Sequence, residues 1–345
     1  MEKDNLQYSY ALKIMIIFAS FVIIVAGMKA AHNILVPFLL SVFISIITSP
    51  FLYWLNRKKI NMGVSLLIVI FCVLIATILI GLLIGNSVKD FTNSLPEYQK
   101  KLSDQIVVLS DLLSRIGITF SDKELLEYVN PGAAVGFASK ILTSLLSLLK
   151  NAFFIIVTVI FILFEAATFP KKMNIAFGGS KDSVDKLKDI MEKINHYMVI
   201  KTYISLGTGI LVAVWLMIIK VDYPFLWGLL AFMFNFIPNV GSILAAVPAV
   251  LVALVQSGPA TALLAAAGYL LLNVTIGNFI EPRFMGSGLG LSSLVVFLSL
   301  VFWGWILGPI GMLLSVPLTM TMKIALSSSN ETEWISTLLG GSVKK

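Results

Sequence analysis

Apolar residues gather into five stretches up to residue 219: 14–31, 34–55, 63–88, about 146–164 and about 200–219. A helix needs roughly 20 consecutive apolar residues to cross the hydrocarbon core of a bilayer, so each stretch predicts one membrane span. Only His32 and Asn33 separate the first two, which makes them adjacent and antiparallel. Two polar stretches interrupt the series, and both keep a helical period. Across 89–140, Leu95, Tyr98, Leu102, Ile106, Leu109, Leu113 and Ile116 recur every three or four residues, which sets one apolar stripe on a helix. Ser121 with Glu124 reads as a capping box opening a short second helix, and Asn130, Pro131 and Gly132 break the chain after it. Across 170–198, Val184, Leu187, Met191, Ile194 and Met198 form a similar stripe. Both stripes predict packing faces or interfacial elbows rather than binding surfaces.

From Tyr223 the pattern changes. Residues 224–256 and 291–326 are apolar runs, each long for one span and short for two. The first is interrupted at Pro238, Asn239 and Gly241 and again at Pro248; the second at Gly308, Pro309 and Gly311 and again at Pro317. Ala246 and Val247 before Pro248 match Ser315 and Val316 before Pro317, so the two runs read as a weak internal repeat. Proline removes a helical hydrogen bond and glycine permits a tight reversal. Backbone groups freed in this way cannot face lipid and must be buried in protein or line a wet cavity. Paired, Gly/Pro-broken hydrophobic segments are the strongest sequence pointer to a transporter binding site. A simple proline kink in a long tilted helix is the competing reading; the matched glycines favour re-entrant hairpins.

Composition fits the pattern. The chain is 58% hydrophobic and 12% charged, against about 45–50% apolar and about 25% charged for soluble domains; its mean hydropathy is +0.95. The fold class is therefore all-α and polytopic, and soluble enzymes, nucleic-acid modules and disordered chains are excluded. The net charge of +7 is a topology signal. Arg57, Lys58 and Lys59 lie between spans two and three; 89–140 holds six Lys/Arg and seven Asp/Glu; 165–201 holds seven Lys and five Asp/Glu. Basic loops stay in the cytoplasm, which places both termini inside and 89–140 outside. Met1 to Lys13 lacks a cleavage site, so the first run reads as a retained span. The chain then divides into spans one to three (1–88), extracytoplasmic amphipathic helices (89–145), spans four and five with a cytoplasmic elbow (146–222), a core of broken helices (223–326) and a tail (327–345).

Little points to cofactor chemistry. Cys72 is the one cysteine, inside an apolar run, and reads as a small buried hydrophobe. His32 and His196 have no cysteine companions, so no metal site is predicted. Phosphate-loop and nucleophile-elbow motifs are absent; neither a cofactor nor an enzymatic activity is expected. Polar groups gather instead around the breaks. Asn235 and Asn239 flank Pro238, Ser242 follows Gly241, and a further span over about 260–280 carries Asn273 and Asn278. Asn278 and Glu281 are three apart and share a helix face. Glu281, Pro282 and Arg283 end that span near glycines 286, 288 and 290. A carboxylate there either carries a proton or steers a solute, or forms a structural ion pair with Arg283. Trp303 and Trp305 read as packing or interface anchors.

The segments NFIPNVGSILAAVPA, GNFIEPRFMGSGLGLSSLVVFLSL and GPIGMLLSVPL resemble the bacterial autoinducer-2 exporter family, and most closely its members that carry the quorum signal. The resemblance covers nearly the whole chain and is most specific over 223–323. It implies an inner-membrane protein that moves autoinducer-2 out of the cell, assembled as a homo-oligomer, with pentamers the expected state, and working by an elevator-like movement. It also implies that Pro238, Asn239, Gly241, Glu281, Pro282, Arg283, Gly308, Pro309 and Gly311 belong to the family's functional core. Autoinducer-2 is a compact polyol, neutral or borate-bound; asparagine, serine and unwound backbone offer the neutral donors and acceptors it needs. Other members of the family are proposed cation/proton antiporters, which keeps ion transport through Glu281 open. A membrane scaffold affecting biofilm behaviour is a third reading, and the broken runs count against it. The partners expected are the polar signal, the bilayer and further copies of the chain, with no nucleic acid.

Overall fold

The computed structural model describes residues 10–115, 136, 139–143, 146, 150–166, 172, 181–238, 240–285, 291–327 and 332–341. All regular structure among them is helical: α1 (Tyr10–Ala30), α2 (His32–Arg57), α3 (Met62–Arg115), α4 (Ala152–Ala166), α5 (Lys181–Ile218), α6 (Pro224–Phe234), α7 (Gly241–Ser257) and α8 (Pro259–Thr275). A π-helical turn (Ile276–Ile280) joins α8 to the short α9 (Glu281–Met285), followed by α10 (Ser293–Ser327) and α11 (Glu333–Leu338). The capping box at 121–124, the break at 130–132, Asn239 and the glycines at 286–290 lie outside the described residues.

Among the described residues, five helical stretches are long and apolar enough, by length and composition, to cross a bilayer: His32–Arg57, Met62–Asp104, Ile194–Ile218, Pro259–Phe284 and Ser293–Ser327, the last of them broken at Gly308. Of the five spans expected before residue 220, the second, third and fifth reach crossing length; Met15–Ala30 and Ala152–Ala166 are shorter apolar helices. The changes from apolar to amphipathic character at residue 88 and near 198 are not chain breaks. No glycine or proline stands between Gly85 and Pro96, or between 181 and 206, so nothing supplies a turn and α3 and α5 run through. Cys72 is exposed, which corrects the expectation of a buried hydrophobe. An apolar side chain on a lipid-facing helix needs no protein cover.

Both broken runs fold back on themselves. At the far end of α7, the Gln256 side chain accepts from the Asp222 amide at 2.8 Å and donates to the Lys220 carbonyl at 2.9 Å. The end of α7 therefore returns to the entrance of α6, and the two helices form a hairpin with its tip at 235–240. Within α10, the Trp303 indole donates to the Thr319 hydroxyl at 3.0 Å. Sixteen positions along a straight helix would separate them by about 24 Å, so α10 is two arms and not one rod. The reversal is at Gly308, whose φ of 64° and ψ of −152° suit glycine alone. The repeat seen in sequence has a structural counterpart. A Cβ at Gly241 would fall onto the Phe234 carbonyl and against Ile237; one at Gly311 would fall onto the Trp303 carbonyl and against Leu307.

The first hairpin packs between α3, α5 and α8. Ile84, Val88 and Phe91 of α3, Leu226, Trp227 and Leu230 of α6, Ala245 and Ala249 of α7, and Tyr269 of α8 share one buried cluster. Tyr98 of α3 reaches the hairpin base, donating to the Asp222 carboxylate at 3.2 Å, and Trp227 donates to the Asp222 carbonyl at 2.7 Å. The hairpin tip enters a second cluster, where Phe236 and Ile237 join Met198 of α5, Phe43 of α2 and Trp303, Ile306 and Leu307 of α10. Trp303 is thus a packing anchor. Trp305 is exposed, with the Lys29 ammonium 3.9 Å from its ring centre. A third cluster binds α2, α3 and α4 through Leu52, Leu66 and Val159.

The contact of α5 with α6 is backbone on backbone. A Cβ on Gly209 would meet the Gly228 carbonyl at 2.7 Å, and a Cβ on Gly228 would meet the Gly209 carbonyl at 2.6 Å. Small residues allow such approach between membrane helices, where lipid supplies no hydrophobic drive for association. Gly228→Leu is expected to cost about 3 kcal/mol through overpacking, read as a lowered melting temperature in detergent. A melt matching the wild type would show that α5 and α6 part without cost.

Candidate functional site

The site grows out of two antiparallel registers against α5. Along α6, Gly228 lies against Gly209 and Ala213, and the Asn235 amide donates to Ser205 at 2.9 Å. Along α8, the Trp215 indole donates to the Leu264 carbonyl at 3.1 Å, and α5 stays beside the helix down to residue 281. These registers bring Lys201 of α5, one turn beyond Ser205, next to the hairpin tip and to the start of α9. Its ammonium meets the Glu281 carboxylate at 2.6 Å, with the lysine side chain 4% exposed and the glutamate 23%. Of the two roles open for Glu281 from sequence, the ion pair with Arg283 is therefore replaced by one with Lys201. Arg283 is exposed, and α9 turns Glu281 inward to a cation from another helix, eighty residues away. A half-buried carboxylate left without a cation would be costly, and Lys201 supplies that cation.

Between α5, the hairpin tip and the end of α8 lies a cavity of about 190 Å³. A single water needs roughly 10–15 Å³ by the same measure, so the space suits a small solute with its waters. Asn235, Pro238 and Ser242 of the tip line one side. Asn273, Gly277, Asn278 and Glu281 line the other, and Lys201 closes it. The π-helical turn sets this second face. The Glu281 amide bonds back to the Ile276 carbonyl, one residue further than in an α-helix, and such turns inside helices recur at functional sites. A smaller space of about 10 Å³ continues from the cavity toward Thr208 and Tyr269, sharing Asn235, Ser242 and Asn273 with it. The Tyr269 hydroxyl is buried with no hydrogen-bond partner among the described residues.

Of the residues picked out from sequence, Asn235, Pro238, Ser242, Asn273, Asn278 and Glu281 come together around this cavity. Gly241 stands at the start of α7, where it lets the tip close. Pro282 and Arg283 are exposed beyond Glu281. Gly308, Pro309 and Gly311 are not among the lining residues. Gly308 faces the His32 ring at the junction of α1 and α2, and the second hairpin packs behind the site, against Phe236, Ile237 and Met198. Lys201 was missed as a site residue. Its signal was present, since a lone cation inside a predicted span implies a buried partner.

The donor set is nitrogen and oxygen from amides, hydroxyls and one ion pair. No group of three or more His, Cys, Asp or Glu able to hold a metal occurs among the described residues. Such a lining offers hydrogen-bond donors and acceptors suited to a polar solute, and half-helix ends meeting at a polar cavity are the common build of secondary transporters.

Residues 18–331 match the model of the AI-2E family transporter. The chain is 40% identical to the AI-2 transport protein TqsA of Escherichia coli (strain K12), over 95% of each chain. It is also 40% identical to a putative transport protein of Haemophilus influenzae, over 93% of this chain and 94% of that one. A putative transport protein of Borreliella burgdorferi is 29% identical over 93% of this chain and 88% of its own. With that match over its helices and over both hairpins, this chain belongs to the AI-2E transporter family and is a helical membrane transport protein.

Proposed function

We propose that this protein exports autoinducer-2 across the bacterial inner membrane. The observation that carries the reading is a small cavity lined by asparagine, serine and the tip of a broken helix, in a chain similar throughout its length to an AI-2 transport protein. A compact polyol presents hydroxyls that each donate and accept, and Asn235, Ser242, Asn273 and Asn278 offer both. The cavity lies on the side of the hairpin tip away from the hairpin base at Asp222 and Gln256. With the basic loops inside, that side is cytoplasmic, which supports loading from within. Ion exchange is a second reading, favoured by the buried Lys201–Glu281 pair at the cavity wall. One vesicle experiment separates them. Reconstituted protein is expected to release labelled autoinducer-2 faster than empty vesicles, with no change in an internal pH dye when sodium or lithium is added. A cation-driven pH change without signal release would replace export by antiport.

The movement is elevator-like, with the first hairpin and α8 carrying the solute past α3. The hairpin base rests on α3 through Tyr98 and Asp222, so fixing that contact stops the cycle. In a Cys72→Ser background, Tyr98→Cys with Asp222→Cys is expected to lose flux when joined by a short bis-thiol linker and to recover it with a cleavable one after reduction. Full flux in the linked protein would sink the elevator. The protein works as a homo-oligomer, with five copies the expected state, as its resemblance to the family implies. Native mass spectrometry from mild detergent is expected to give five chains; a monomer alone would overturn this.

A further inference from the structure

The cavity has an unusual electrical balance. Of the residues that line it, only Lys201 and Glu281 carry charge, and each is already satisfied by the other at 2.6 Å. The backbone repeats the cancellation. Asn235 caps the C-terminal end of α6 and Ser242 sits in the first turn of α7, so the hairpin tip brings a partly negative helix end beside a partly positive one. A lone helix start would favour an anion; here the neighbouring helix end offsets it.

We propose that the Lys201–Glu281 pair makes this a site for solutes of zero net charge, so that the transporter takes the free polyol and rejects its anionic borate ester. This rests on the autoinducer-2 reading and adds the charge state of the cargo. An anion could gain the Lys201 ammonium only by displacing Glu281, leaving a half-buried carboxylate unpaired beside it. The exposures sharpen the asymmetry: the glutamate is the more open member of the pair, 23% against 4% for the lysine. An incoming anion therefore meets the carboxylate first. A neutral polyol meets amides and hydroxyls and leaves the pair intact. Lys201 and Glu281 are in this sense specificity determinants, acting through the charge they cancel.

Boric acid supplies the test, because borate joins a vicinal diol with loss of two waters and leaves a cyclic anion on the same carbon skeleton. Initial rates of labelled autoinducer-2 release are measured from vesicles of the full-length protein, borate-free and with saturating borate inside. The wild type is expected to slow by about tenfold or more with borate. Glu281→Gln, which leaves the Lys201 ammonium uncompensated, is expected to reverse that preference. The double variant Lys201→Gln with Glu281→Gln removes carboxylate and ammonium together and is expected to fall between the two, weakening the wild-type preference without reversing it; it also guards against a single variant that fails to fold. Equal wild-type rates for both forms overturn the proposal and leave the transport reading standing. Release of neither form overturns both. A Glu281→Gln preference equal to that of the double variant also overturns it, since the pair would then not set the selection.

Discussion

A peptide group released from a helix inside hydrocarbon has no water to turn to, and the two reversals of this chain are arranged around that fact. At the first tip the freed groups are taken up locally: the Ile237 amide bonds to the Phe234 carbonyl at 2.8 Å, and the Gly241 amide to the Ile237 carbonyl at 3.2 Å. At the second, Gly308 absorbs the change of direction and the arms close until Trp303 reaches Thr319. Glycines 241 and 311 stand where a side chain would strike the opposite arm. The tips can be tight only because of them, and only a tight tip can be sealed by so few partners. Around Asn235 and Ser242 the first tip borders the cavity.

The ion pair extends the same logic to charge. Lys201 and Glu281 come from helices that meet only after the chain has crossed the molecule and returned, yet each needs the other to be tolerated where it lies. Removing one partner from a buried pair strands the other, whereas exchanging both for neutral groups often costs little. The pair also ties α5 to the end of α8, the two walls between which the hairpin tip is set. Site and scaffold are thus joined by one interaction: the contact that closes the cavity also fixes the register of its helices.

Much of this was legible in the residues. The apolar runs located the helices, and the Gly/Pro breaks at 238–241 and 308–311 located both hairpins, because loss of a helical hydrogen bond in an apolar segment has few remedies. Asn235, Ser242, Asn273, Asn278 and Glu281 stood out as polar groups beside the breaks, and they line one cavity. Long-range partners were not. Glu281 has Arg283 two residues away, and proximity in sequence favours that pairing; the antiparallel packing of α5 against α8, which hands Glu281 to Lys201 instead, leaves no local mark. Gly308, Pro309 and Gly311 looked equivalent to the first break because they share its chemistry, but which hairpin faces the cavity depends on what packs around each. The unbroken passage of α3 and α5 from apolar to amphipathic was also hidden, since a change of polarity resembles a boundary when only composition is read.

That continuity gives α3 a reach of its own. A helix of 54 residues is about 81 Å long, against a hydrocarbon core of about 30 Å. More than half of it stands clear of the bilayer's interior, and Tyr98, on the part beyond the most apolar stretch, is where it holds the base of the first hairpin. The helix is therefore a mast as well as a span. Whatever docks on its outer length leans on the same rod that steadies the hairpin, so a load applied there arrives, as leverage, at the hairpin base, one hairpin's length from the cavity at its tip.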